Sequence, residues 1–426
     1  MALNDLISEL QKNTFVMEPT IEGKVVRAVL QLMDDKNSEV QNLAVKCLTP
    51  LVKQMKEDYL VEMINRLDEY TTQTKNEELR GIASVSLKTV IASVKTGQGP
   101  IVCARIIPKL LRNIQNDNST YEMEMDTLDI LSEILTRFGT QITVENQTDI
   151  QNALLPLLHH ARPAIRKRTI VAIGCLVVHT NDGLFQQLFV YLLEGLCSDS
   201  GSSEKQRTFI QCTSVLSRRS TARLGKHLSD LVPIIISFTK RSEEDDEMRE
   251  ICLQTLESFV YRCPTEISLF VPELIQLALE YIKYDPNFAG DDDEDEDLEN
   301  EDEDMSGDED DEYDDIADYS DDDDDMSWKV RRSSTKVLYA IIETRLDLLQ
   351  QLYETVAPVL ISRFKEREES VRSDVLHTFI VLLRQTNTAG ERGDEYKVLG
   401  KLGSLNFDGI NALPSEKPDG SAVKLD

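Results

Sequence analysis

The chain has 426 residues, 77 of them acidic and 46 basic, for a formal net charge of −31 at neutral pH. That length exceeds one small core, and the charge excludes an ordinary duplex-binding protein, which needs a clustered basic footprint for phosphates. Seven cysteines without a CxxC pair exclude a zinc ribbon and fit reduced core thiols, while no apolar run approaches the ~18 residues of a membrane span and no signal peptide is visible. The expectation is a soluble protein of nucleus and cytoplasm.

From the N-terminus onward, one apolar pattern recurs. Leu6, Ile7 and Leu10 fit the late positions of a helix whose start would precede residue 1. From Val40, apolar or small residues follow at Leu43, Ala44, Cys47, Leu48, Leu51 and Val52, which is one face of an α-helix. The same face returns from Leu79, Met123, Ile165, Met248, Val330 and Val371, with a weaker copy near Glu204. The spacings between these anchors are 39, 44, 42, 39, 44, 82 and 41 residues, so the outlier is two periods. A period near 41 suits HEAT or armadillo repeats and not the ~34 of tetratricopeptide repeats.

Each marked helix is preceded by a partner segment, and several partners carry a proline: Pro108, Pro156, Pro233, Pro272 and Pro358. An interior proline removes one helical hydrogen bond and bends the helix. A bent outer helix, a short turn and an inner helix opening on an apolar-Arg pair together resemble the HEAT repeat. Leu79-Arg80, Ile165-Arg166, Met248-Arg249, Val330-Arg331 and Val371-Arg372 are those pairs.

The double-length interval contains the acidic excess. Between residues 291 and 325, 25 of 35 residues are Asp or Glu, and removing them leaves the chain at −6. Such a segment cannot bury enough apolar surface to offset the entropy of ordering it. The reading is an all-α HEAT-repeat α-solenoid, an arch, with a long disordered acidic loop inside one repeat. Residues 1–284 are expected to be HEAT repeats with the first truncated, 285–326 the loop, 327–386 further repeats, and 387–426 a disordered tail or non-native extension.

Several strings carry a more specific resemblance: NDLISELQK (4–12), DDKNSEVQNLAVKCL (34–48), IRKRTIVAIG (165–174), RCPTEI (262–267), YDPNF (284–288), DDDDDMSWKVRRSS (321–334) and LISRFKEREESVRSDV (360–375). Over about residues 2–385 the chain resembles the N-terminal part of the cullin-associated, neddylation-dissociated exchange factors, of the TATA-binding-protein-interacting type of HEAT-repeat protein. The resemblance implies a scaffold that embraces the cullin C-terminal region and its RING-box partner, prefers unmodified cullin and hides the lysine that receives the ubiquitin-like modifier. It also implies that substrate-receptor exchange needs a C-terminal portion, which a separate chain of the same factor could supply. An importin-β-like transport receptor and an acidic-loop chaperone of basic proteins are the alternatives.

Catalytic, metal and cofactor residues are not expected. The five histidines (His159, His160, His179, His227 and His377) have no ligand spacing, and phosphate-binding glycine loops are absent. Arg162, Arg166, Lys167 and Arg168 form one basic cluster, and Lys329, Arg331 and Arg332 form another. With Arg372, these side chains either line the partner surface on the inner helices, or the first Arg of each inner helix joins a ladder between repeats. Trp328 either plugs its repeat or anchors an interface. Ser306 and Ser320 each precede an acidic residue by three positions, which suits an acidophilic kinase.

Overall fold

Short polar side chains start the helices that the periodicity marks. The Asn37 side chain accepts a hydrogen bond from the Glu39 amide at 2.9 Å, and Asn76 accepts from Glu78 and Leu79 at 3.1 and 3.4 Å. Thr120, Asn181 and Asp245 do the same for Met123, Leu184 and Met248. Each satisfies an amide that the first helical turn leaves without a backbone partner, which contributes about 1 kcal/mol. Glu39, Glu78, Glu122 and Asp246 in those first turns add favourable charge at the positive end of the helix dipole.

The computed structural model describes residues 2–12, 17–73, 76–116, 119–198, 202–241, 245–286 and 326–391. Among the described residues there are α-helices and short 3-10 turns but no strand. Residues 287–325 of the expected acidic loop, with Ser306 and Ser320, and 392–426 of the expected tail lie outside them, whereas 387–391, expected to belong to the tail, are the last helical residues of the final helix. Contacts divide the chain into two units, 1–271 and 272–426.

In the first unit, α1 (Ala2–Leu10) precedes a run of helix pairs. These are α2 (Pro19–Leu32) with α3 (Ser38–Gln54), α4 (Glu57–Gln73) with α5 (Glu77–Ser93), and α6 (Gly99–Ile114) with α7 (Tyr121–Phe138). Next come α8 (Val144–Leu154) with α9 (Pro163–Val177) and α10 (Asp182–Cys197) with α11 (Ser203–Arg219). Short α12 (Thr221–Gly225) leads into α13 (Leu228–Arg241) and α14 (Asp246–Arg262). The second helices pack in sequence, α3 on α5, α5 on α7, α7 on α9, α9 on α11 and α11 on α14, while α2, α4, α6 and α8 form another layer. Helix α1 packs on α3 as a second helix does, in line with the pattern of Leu6, Ile7 and Leu10. Leu48, Leu51, Leu60, Met63, Ile64 and Leu67 are fully buried between the layers, and each such side chain contributes about 1.5–3 kcal/mol.

The second unit contains α15 (Val271–Tyr281), α16 (Ser327–Thr344), α17 (Leu349–Thr355), α18 (Ala357–Ser362) and α19 (Glu369–Glu391). Helix α16 runs along α19, and α17 and α18 together serve as the first helix of the last pair. Val330, Leu338, Ile341, Val371, Val375 and Leu382 are its fully buried centre.

The prolines act in two ways. Pro108 and Pro233 remain inside continuous helices. Pro156 lies where α8 gives way to a 3-10 turn, Leu155–His159, and Pro358 where α17 breaks from α18. Pro50, which the pattern did not single out, sits inside the second helix α3.

Candidate partner-binding surface

The second-helix layer carries the basic residues chosen from the sequence, and the structure disperses them. Arg162 is exposed at the N-cap of α9, its guanidinium 4.2 Å from the centre of the Tyr121 ring. Arg166 turns inward and is 8% exposed. It donates to the carbonyl oxygens of His160 and Ala161 at 2.9 and 3.0 Å, and lies 3.4 Å from the Glu204 carboxylate. Arg168 reaches back to Asp129 on α7 at 3.0 Å, and the other oxygen of Asp129 meets Lys88 of α5 at 2.9 Å. Lys167 is half-buried. The four do not form one outward patch.

Asp129 therefore links three successive second helices, a role its place in the sequence did not suggest. Its partners are about a third exposed, so water and salt screen most of the attraction. Asp129→Asn is expected to cost less than about 1 kcal/mol, and the difference from wild type should vanish in high salt. Urea titrations at low and high ionic strength check both points.

The second unit contains a much drier network. Arg331 is fully buried. Its Nη1 donates to the Tyr284 carbonyl at 3.0 Å and to the Ser327 hydroxyl at 2.9 Å, and its Nη2 to Glu366 at 3.2 Å. Glu366 is 3% exposed. It also accepts from Arg363 and from the Glu368 amide, while its carbonyl accepts from Arg372 at 3.3 Å. Asp285 lies 4.0 Å from Arg331 and accepts from Arg367 at 3.0 Å. Burial alone would raise the Glu366 carboxyl, but Arg363 and Arg331 outweigh it and hold the group below its ordinary value.

This geometry accounts for the apolar-Arg pair. Arg166 and Arg331 both fold back onto carbonyls between the two helices of their own pair, and both meet an acid from the next pair. For these two the within-chain role holds, and burial takes them out of reach of a partner. Arg332 meets Asp374 of α19 at 2.9 Å and stays partly exposed. Trp328 is half-buried, with Lys329 5.5 Å from its ring centre. Glu366 and Asp285 were not assigned roles from sequence, although FKERE and YDPNF contain them.

No described group of three or more His, Cys, Asp or Glu side chains is placed to hold a metal ion. A cavity lined by Asp68, Asp126 and Thr127 has room for about one water molecule. His159 sits among Tyr191 and Phe209, with Nε2 3.0 Å from the Tyr191 hydroxyl, and burial lowers its pKa. Burial pushes the Cys212 and Cys252 thiols up to about 12 and those of Cys47, Cys103 and Cys263 to about 11. A thiolate-directed reagent at neutral pH should modify exposed Cys197 first and half-buried Cys175 more slowly. Mass spectrometry should show these five buried thiols labelled only after denaturant is added.

Two layers of paired helices at a 41-residue period define a HEAT-repeat α-solenoid. Yeast importin-β (Kap95p) shares that fold, with a TM-score of 0.58 over 95% of this chain and 46% of its own, at 12% identity. No family model matches the sequence. Among curated proteins, the chain is 40% identical over 417 residues to cullin-associated NEDD8-dissociated protein 1 of Drosophila melanogaster, spanning 97% of this chain and 32% of the relative. In Emericella nidulans the corresponding protein is named in two parts. The N-terminal part is 26% identical over 56% of this chain and 78% of its own length, and the C-terminal part 47% identical over 34% of this chain and 15% of its own. By sequence the chain is a relative of the cullin-associated NEDD8-dissociated proteins, and it spans about a third of the length of the Drosophila protein.

Proposed function

We propose that the chain is a non-catalytic scaffold of cullin–RING ubiquitin ligases. In this reading it binds unmodified cullin with its RING-box partner, hinders attachment of NEDD8, and works in nucleus and cytoplasm. The observation that carries the reading is the 40% identity along 97% of the chain to a protein named for cullin association. The likeness to importin-β is one of fold at 12% identity, so a transport receptor has no comparable sequence support.

The partner surface is proposed on second helices whose side chains reach solvent. In the first unit these include Val85, 56% exposed, and Arg162. In the second unit they include Lys329, Arg332 and Arg372, each partly exposed, with Trp328 beside them. Receptor exchange is proposed to require a further portion of the factor. Supporting this, α19 exposes Leu376 and Ile380, one turn apart, where another helix pair could stack.

Co-purification from cell extract tests the reading. The chain and a form lacking residues 291–325 are each expected to recover cullin, with more when cullin modification is blocked. Recovery of small GTPases or histones without cullin would overturn it. Recovery of cullin only when a C-terminal chain is added would confine the activity to the two-part factor.

A further inference from the structure

In most pairs a short connection fixes how the second helix sits on the first. Between α8 and α9 the 3-10 turn ends at His159 and α9 begins at Pro163, so covalent geometry sets the register. Between α15 and α16 the connection is much longer in sequence, since α15 ends at Tyr281 and α16 begins at Ser327. A long connection restricts its ends weakly. Even so, Arg331 finds the Tyr284 carbonyl at 3.0 Å, the relation that Arg166 has to His160 and Ala161.

The two sites differ in burial. The acid beside Arg166, Glu204, has a side chain 58% exposed, whereas the Arg331 and Glu366 side chains are 0% and 1% exposed. A buried ion pair is seldom more stabilising than apolar residues of the same volume, but its geometry admits few alternatives. The network also joins the flanks of the interruption. Tyr284 and Asp285 lie just before residues 287–325, Ser327 and Arg331 just after, and Glu366 and Arg367 come from the following pair.

We propose that the buried Arg331–Glu366 pair, with the Tyr284 carbonyl and the Ser327 hydroxyl, is a latch that sets the register of α16 against the end of α15 and the start of α19. Side-chain chemistry here takes the part that a short turn plays in other pairs. Residues 287–325 are then free to vary in length and sequence without altering the repeat that they interrupt. The strings YDPNF, SWKVRR and FKERE of this chain supply the three sides of the latch.

Amide hydrogen exchange on the full chain tests the proposal. One variant replaces residues 287–325 with a short Gly/Ser linker. The other is Arg331→Met/Glu366→Leu, whose apolar pair keeps the site filled so that the protein folds. The linker form is expected to keep exchange at residues 327–334 and 366–372 within about twofold of wild type. The double variant should raise exchange there tenfold or more and leave α3 to α7 unchanged. Wild-type exchange in the double variant would overturn the latch, as would a linker form that exchanges as fast as the double variant.

Discussion

Glu366→Leu is expected to destabilise the second unit by about 3–5 kcal/mol, the cost of breaking a buried ion pair from one side. The substitution strands Arg331, which is fully buried and cannot shed its charge. Ser327 and the Tyr284 carbonyl still accept from it, but neither is charged, and Asp285 is 4.0 Å away. Desolvation therefore wins. Adding Arg331→Met should recover most of the loss, because the charge then disappears with its partner. Trp328, the only tryptophan, lies in the first turn of α16, so its emission during urea titration reports this unit. Acid should act in the same direction. A carboxyl held below its ordinary value stabilises the fold at neutral pH and loses that contribution as pH falls through its folded value. The gap between wild type and Glu366→Leu should accordingly narrow below the ordinary glutamate range.

Phe259→Ala should cost about 3–5 kcal/mol in the first unit, from lost burial plus the cavity left behind. Phe259 lies in α14, is fully buried and belongs to the apolar face repeated at each anchor. Repeats share contacts mainly with their neighbours, so the loss should spread through α13 and α11 before it reaches α3. Hydrogen exchange with peptide resolution reads that gradient. Val85→Ala is the control: the side chain is 56% exposed, and the expected change is within about 0.5 kcal/mol.

The helix pairs were legible in the sequence because burial imposes a period on each helix and stacking imposes a second period on the chain. Even α11, with its weak apolar face near Glu204, fell within one repeat of its neighbours. The prolines were legible as interruptions but not in kind. Pro108 and Pro358 look alike in sequence, and only their surroundings decide between a continuous helix and a break. The candidate surface was legible in part. Arg332 and Arg168 were placed on second helices, as helix position required. Arg331 was marked by the Val330-Arg331 pair, but the sequence did not say whether that first Arg turns inward to a ladder between repeats or lines the partner surface, which depends on partners distant in the chain. Glu366 is more instructive. It follows a 3-10 turn, and no local pattern marks a carboxylate whose partner lies 35 residues earlier.

Direct recognition of a cullin core by this chain is tested by titrating the purified chain against a purified cullin–RING-box heterodimer. The heterodimer would be presented unmodified and NEDD8-conjugated, with heat of binding as the signal. A Kd near or below about 1 μM is expected for the unmodified form, with at least tenfold weaker binding to the conjugate. Absence of binding to either form, or equal affinity for both, would contradict the proposed function.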